Sequence, residues 1–410
     1  MTSLTDRVGA EPEEGPSSGL SRLLHPVSLP TFRDEYWERR PLHIPRNDPE
    51  RFADLLTLDD VDRVLGQSGP DFGNVRVIRE GEETPVSELG APGRNMTASR
   101  LEALYERYRS GSTVILNALE RRWEPLARFT SMLSAEVNAR FQVNVYLTPG
   151  GQARGFDPHY DSHDVIVMQA YGSKRWRLYG APYALPLEGQ RYDHSGEVPE
   201  VEEEFDLQPG SLLYLPRGTI HAATSNDAAS MHLTFGVHPV LIPALISDAV
   251  REVFEGDERF RRSMPLGFAN DKHLQEQAED VFAELIDALA ARLSPQEMTA
   301  RAVKQTTSLA PVTLRGHLGD LESLPRLDLD TRVRRRPGLR WSVALGEEVI
   351  ELEFHSKTIQ LPVHVADEVR FVTESDGQGF TAGSIPGGLD QPGCLLLVRT
   401  LVREGFLTLS

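Results

Sequence analysis

Residues 158–180 read PHYDSHDVIVMQAYGSKRWRLYG, and residues 209–225 read PGSLLYLPRGTIHAATS. In the first stretch a polar His-x-Asp opens an apolar run of strand length, Gly172-Ser173 turns the chain, and a second strand begins at Lys174. On an extended strand residues i and i+2 share a face, so His159 and Asp161 project an imidazole nitrogen and a carboxylate oxygen toward one point. The second stretch offers a third ligand: a strand, a tight Pro216-Arg217-Gly218 turn, then His221 at the head of the returning strand. Two histidines and one carboxylate on one side of a metal leave three adjacent coordination positions open, as in non-haem Fe(II) oxygenases. Zinc also accepts such a set, so ligand type alone does not choose the metal.

Working outward, FQVNVYL (141–147), GSLLYLP (210–216) and SMHLTFGV (230–237) are further runs of strand length. Separated by Gly and Pro, the runs between about 140 and 240 predict an all-β barrel or sandwich, the core that carries the chemistry. Pro209, Gly210, Pro216, Gly218 and His221 have the spacing of the second cupin motif, with Ser225 where that motif often has Asn. In KRWRL, Lys174, Trp176 and Leu178 share one strand face while Arg175 and Arg177 share the other. If the Trp/Leu face lines the barrel, the Lys174 ammonium is buried and needs an anion, and the distal carboxylate of 2-oxoglutarate is a candidate; otherwise Lys174 is a surface turn residue. His163, among the 12 histidines, is read as pocket rim, because a fourth protein ligand would fill a position that a co-substrate needs.

The flanks are different. Residues 1–22 are poor in anything to bury and are read as a disordered tail. Helices are expected over LDDVDRVL with a Thr57/Asp60 cap, over SRLEALYERYR, and from about Pro125, with a strand at STVILN between the last two. After residue 240 a helical region is expected to 310, with apolar positions at Val281, Phe282, Leu285, Ile286, Leu289 and Leu293. A linker with the basic run TRVRRRPGLRW follows over 311–340, read as a solvated face or as a partner patch. Residues 341–410 combine a hairpin around Gly346, a helix from Val363, a helix through CLLLVRTLVREG and a final strand, which predicts a winged-helix-like module.

The 410 residues carry 43 Lys+Arg against 61 Asp+Glu, a formal charge of −18. That balance argues against a general grip on nucleic acid or anionic lipid and favours a basic partner. The single Cys394 excludes an intramolecular disulfide and a cysteine-based metal cage, and its CLLLV setting predicts core packing. With no apolar run near the ~20 residues of a membrane span and no hydrophobic leader, the expectation is a cytoplasmic protein.

NVYLTPGG (144–151), the two opening stretches, SMHLTFGV and FRDEYWERRPLHI (32–44) together resemble the JmjC-type 2-oxoglutarate oxygenases of the ribosomal oxygenase (cupin-4) family. The resemblance runs motif by motif over about residues 23–240. It implies an α+β architecture: a double-stranded β-helix (cupin/JmjC) core over 23–240, a helical dimerisation region over 241–310, and a C-terminal winged helix. By position it implies His159, Asp161 and His221 as Fe(II) ligands, Lys174 as the partner of the 2-oxoglutarate carboxylate, and Asn144 as a polar co-substrate contact. Tyr146, on the same strand face, would border the pocket; on the strand after His221, alternation puts Ser230, His232 and Thr234 on one face, toward the co-substrate or into ordinary barrel packing. Arg154, in an insertion one residue longer than in similar sequences, and Asp164 are further candidates for contact with the substrate. Lys rather than Arg at 174 is closer to the histidine-hydroxylating members.

The activity so implied is hydroxylation of a His or Arg side chain in a ribosomal or other basic protein by a homodimer using Fe(II), 2-oxoglutarate and O2. A second reading keeps the chemistry but takes a small molecule or carrier-bound amino acid. A third, a metal-cupin regulator with a DNA-binding winged helix, rests on TRVRRRPGLR alone, since the C-terminal helices offer few cations.

Overall fold

The structure, a computed structural model, describes residues 7–10, 19–67, 74–85, 88–89, 96–308, 314–355, 357–375 and 379–410. The chain divides into two compact units, Pro12–His238 and Met1–Glu11 with Pro239–Ser410.

In the first unit an eight-stranded sheet packs face to face with a three-stranded one. The large sheet runs, edge to edge, Leu42–Ile44, Leu212–Leu215, Asp164–Tyr171, Ser230–Pro239, Ala139–Thr148, Thr113–Leu116, Val75–Arg79 and Glu82–Thr84. The small one runs His221–Ser225, Lys174–Leu178, Glu203–Leu207. Burial follows from side-chain alternation. Along Ala139–Thr148, Phe141, Val143 and Val145 enter the main core, leaving Gln142, Asn144 and Tyr146 on the opposite face. Asp164–Tyr171 is covered on both faces and so reads as a continuous apolar run: Ile166 and Met168 join the main core, while Val165 and Val167 meet Trp176, Leu178, Leu207, Leu213 and Leu215 between the sheets. Lys174, Trp176 and Leu178 do face inward, and Arg175 and Arg177 face out, opposite Asp206 and Glu204 of the next strand.

Helices back the large sheet. Leu58–Gln67 begins with the expected cap: Asp60 N–H donates to Thr57 Oγ1 (3.2 Å) and Thr57 N–H to Asp60 Oδ2 (3.0 Å). Met96–Arg109 and Glu124–Val137 follow, the latter with Pro in its first turn. The short strands Leu42–Ile44, Val75–Arg79 and Glu82–Thr84, too brief to carry a periodic signal, extend the large sheet at both edges.

The second unit contains helices Ile242–Gly256, Lys272–Arg292 and Pro295–Gln305, then two sheets, Arg7–Ala10/Arg340–Leu345/Val349–Phe354/Lys357–Pro362 and Phe380–Thr381/Arg332–Arg335/Leu407–Leu409, with helices Ala366–Glu374 and Gln391–Arg403. Three expectations are corrected here. The tail is not wholly without structure: Arg7–Ala10 pairs antiparallel with residues 340–343, and Leu20, Leu23 and Leu24 are buried, whereas 1–6 and 11–18 lie outside the described residues. Residues 314–340 are no linker, because they hold a helix and a strand and put Leu327, Val333 and Leu339 into this unit's core; 311–313 lie outside the described residues. The basic run is split: Arg332 and Arg334 stay exposed on one strand face, as a solvated face requires, whereas the other three arginines are taken up inside the unit. Arg336 pairs with Asp320 at 2.7 Å, Arg335 lies over the Trp341 ring and donates to the Thr373 carbonyl, and Arg340 donates to Thr306, all three buried. Cys394 is buried in the same core. No helix among the described residues is long and apolar enough to cross a membrane.

Candidate metal centre

Between the two sheets of the first unit lies a cavity of about 840 Å3. His159, Asp161 and His221 stand on its wall with one ligand atom from each within 4.8 Å of the others. The loop bearing the first two is tied to the third by a reciprocal backbone pair, His221 N–H to the His159 carbonyl (2.9 Å) and His159 N–H to the His221 carbonyl (3.2 Å). Each imidazole is oriented from behind: His159 Nδ1 meets the Asp157 carbonyl at 2.7 Å and His221 Nδ1 the Thr219 carbonyl at 3.0 Å. A carbonyl only accepts, so both Nδ1 atoms carry the proton, and both Nε2 atoms are left as lone-pair donors. Burial, then the neighbouring His159, pushes the His221 imidazole down to about 4, which leaves it neutral and fit to ligate. Burial raises the Asp161 carboxyl, but His221, His159 and His163 outweigh it and hold it below the usual carboxylate range. Two imidazoles and one carboxylate match the donor set of a divalent transition metal.

Lys174 reaches the same cavity, 4% exposed. Its Nζ donates to Thr148 Oγ1 (3.1 Å), which in turn meets Thr113 Oγ1 (3.1 Å), and no carboxylate of the described residues pairs with it. Burial alone pushes its pKa down to about 7. A cation so placed calls for an anion.

Asn144, Tyr146 and Thr234 line the cavity as expected. Asn144 Oδ1 accepts from Ala118 N–H (3.0 Å), and its side chain also hydrogen-bonds the Tyr146 hydroxyl. Tyr146 stacks on His232 (4.8 Å, 4°), and burial followed by the Asp161 charge raises its hydroxyl pKa. Trp176 lies between the His221 and His232 rings. His163 lines the cavity against His238 and is not one of the three clustered ligands.

Three candidates are not brought to the cavity. The pairing of the last core strand with Asp164–Tyr171 shifts register between Met231 and His232, and Ser230 Oγ accepts from Gln169 Nε2 (2.9 Å). Arg154 pairs with Asp157 at 2.9 Å instead of lining the pocket. Asp164, fully buried, accepts from Tyr214 (2.8 Å) and Arg217 (2.9 Å) behind the centre. Burial raises its carboxyl pKa against the pull of those two partners. Conversely, the cavity is lined by Arg76, locked to Glu83 on the neighbouring strand (2.7 Å), and by an aromatic rim of Phe156, Tyr160 and Tyr192 that no strand pattern marks.

Residues 118–243 match the family model of the JmjC domain. Among curated proteins the chain is similar to the bifunctional lysine-specific demethylase and histidyl-hydroxylase NO66 of Drosophila persimilis, 28% identical over 68% of this chain and 41% of that protein. It is likewise similar to ribosomal oxygenase 2 of Rattus norvegicus, 32% identical over 62% of this chain and 55% of that protein. The chain thus spans about half or less of the length of these relatives. Among solved structures, Escherichia coli YcfD covers 94% of this chain and 98% of its own at a TM-score of 0.52 and 17% identity, a likeness of fold. Residues 118–243 are thus similar to the JmjC domain, and the chain is similar to proteins named ribosomal oxygenase.

Proposed function

We propose that this protein is an Fe(II)- and 2-oxoglutarate-dependent hydroxylase of a His or Arg side chain in a ribosomal protein. One observation carries the reading: a buried ammonium without a carboxylate partner among the described residues, Lys174, shares a cavity with a two-histidine, one-carboxylate cluster. That pairing suits a dianion whose one end reaches a metal while the other meets Lys174. A relative's fold has been solved with cobalt and 2-oxoglutarate, which supports the assignment. When bound, iron and 2-oxoglutarate supply the oxidising power to insert one atom of O2 into an unactivated C–H bond. The chain's own part is to place and to shield. His159, Asp161 and His221 would hold the metal, and Lys174 with Thr148 would hold the distal carboxylate. Trp176 and Val167 keep that end dry, and the Phe156, Tyr160 and Tyr192 rim would receive the target side chain.

The substrate class follows from the histidyl-hydroxylase and ribosomal oxygenase names of the relatives, and the formal charge of −18 suits a basic client. The regulator reading loses most of its support, because three of the five arginines of the run, Arg335, Arg336 and Arg340, are spent inside their own unit, and only Arg332 and Arg334 stay exposed. The C-terminal strands and helices support the winged-helix reading. Val281, Phe282 and Ile286, all more than half exposed on one face of Lys272–Arg292, suit a second copy as cover. A cytoplasmic location agrees with a ribosomal client. The test is conversion of 2-oxoglutarate to succinate by metal-loaded protein: turnover that needs Fe(II) and vanishes in His159→Ala supports the reading, and none with any added metal overturns it.

A further inference from the structure

Three consecutive residues at the end of the Pro-Arg-Gly turn, Arg217, Gly218 and Thr219, each touch a different part of the centre. Thr219 offers its carbonyl to His221 Nδ1, Gly218 N–H donates to the Asp161 carbonyl (3.1 Å), and Arg217 reaches across to Asp164, three residues beyond Asp161. Gly218 has φ +90 and its missing Cβ would sit 2.3 Å from the Tyr183 carbonyl, so the turn is tightly specified. Arg217, 7% exposed, also pairs with Glu38 of the FRDEYWERRPLHI segment. Glu38 has a left-handed backbone (φ 56), and its N–H donates to Tyr214 Oη (2.8 Å), the hydroxyl that itself donates to Asp164. Phe32 and Trp37 pack on the same Tyr214 ring at 4.9 and 5.8 Å. None of these four polar groups lines the cavity, and the mechanism has no use for them as reacting groups.

A fully buried carboxylate and a guanidinium are a poor way to gain stability, since desolvation offsets most of the attraction. They are a good way to fix register. We propose that Arg217, braced by Asp164 and Glu38, is a positioning residue that locks the Asp161-bearing and His221-bearing segments at ligating distance and so sets the protein's affinity for its metal. The inference rests on the metal-site reading above. It explains why a segment some 120 residues before the first ligand carries a carboxylate directed at Arg217: Glu38 is the outer arm of the brace.

The test is titration of chelator-stripped full-length protein with Co(II), read by its visible ligand-field band, alongside thermal unfolding of the metal-free form. Outer partners of metal ligands are worth roughly 10–100-fold in affinity. Asp164→Asn, which keeps the shape and the Tyr214 contact, and Arg217→Met are each expected to weaken Co(II) binding about 10-fold or more. Arg217→Lys should recover part of the loss, and Glu38→Gln should lose less than Asp164→Asn. Should Arg217→Met not fold, Asp164→Asn decides alone. Variants that melt earlier yet bind Co(II) as wild type does would overturn the inference and leave the cluster a structural one. Wild-type protein that binds no Co(II) would instead overturn the metal-site reading itself.

Discussion

Lys174 makes the sharpest quantitative demand. Its ammonium has one hydroxyl partner and a pKa pushed by burial from 10.5 to about 7. A carboxylate docked on it restores the charged form and returns the pKa toward its ordinary range. Binding of 2-oxoglutarate should therefore take up about 0.9 of a proton at pH 8, about half at pH 7 and about one-tenth at pH 6. The assay is calorimetry of 2-oxoglutarate binding to Mn(II)-loaded protein, which binds without turnover, in buffers of different ionisation enthalpy. The slope of observed heat against that enthalpy gives the proton count. Lys174→Met should abolish the pH-dependent part and weaken binding. The same residue leaves a mark on the metal-free protein. A lysine whose folded pKa lies below its unfolded one costs most where both states are charged, below about pH 7, and the cost fades as pH rises toward 10.5. Relative to Lys174→Met, the wild type should thus gain stability between those two values, by a few kcal/mol at ~1.4 kcal/mol per unit. Equal proton uptake at pH 6 and pH 8, or the same uptake in Lys174→Met, would refute the reasoning.

Other perturbations separate the parts of the account. His159→Ala and Asp161→Ala should each lose Fe(II)-dependent succinate formation while keeping the far-ultraviolet circular dichroism of the wild type; unchanged turnover would show that they are not ligands. Gly218→Ala forces a side chain into a φ of +90 and against the Tyr183 carbonyl, which should cost about 1–3 kcal/mol from strain alone and weaken Co(II) binding; a wild-type melting curve would contradict the stated role of the turn. Phe282→Glu places a charge on the exposed apolar face of Lys272–Arg292, and light scattering after gel filtration should show half the wild-type mass. An identical mass would remove that face from the proposed dimer.

Much of the core was legible because its signals are local. His159, Asp161 and Lys174 lie within sixteen residues of one another on strand-like sequence, and strict alternation put Lys174 and Trp176 on one face, which the fold turns inward. His221 was found because a Pro-Arg-Gly turn has few backbone solutions. What alternation could not give was pairing. Ser230 is displaced by a register shift that depends on the partner strand, and Asp164 is claimed by Tyr214 and Arg217, distant in sequence. The basic run was misread at three of its five arginines for the same reason: Asp320, Trp341 and Thr306, which engage Arg336, Arg335 and Arg340, mark nothing when read singly. The aromatic rim comes from loops and Arg76 from the short strand Val75–Arg79, with no period to read.

The central claim, oxidation of a ribosomal side chain, is met most directly by mass spectrometry of ribosomal peptides. Salt-washed ribosomes from a strain lacking this gene would be incubated with the protein, Fe(II), 2-oxoglutarate and O2. The account predicts one added oxygen atom on a single His or Arg, dependent on 2-oxoglutarate and absent with His159→Ala. Ribosomal peptides that stay unmodified while the protein still turns 2-oxoglutarate into succinate would contradict it, and would move the substrate to another protein or a small molecule.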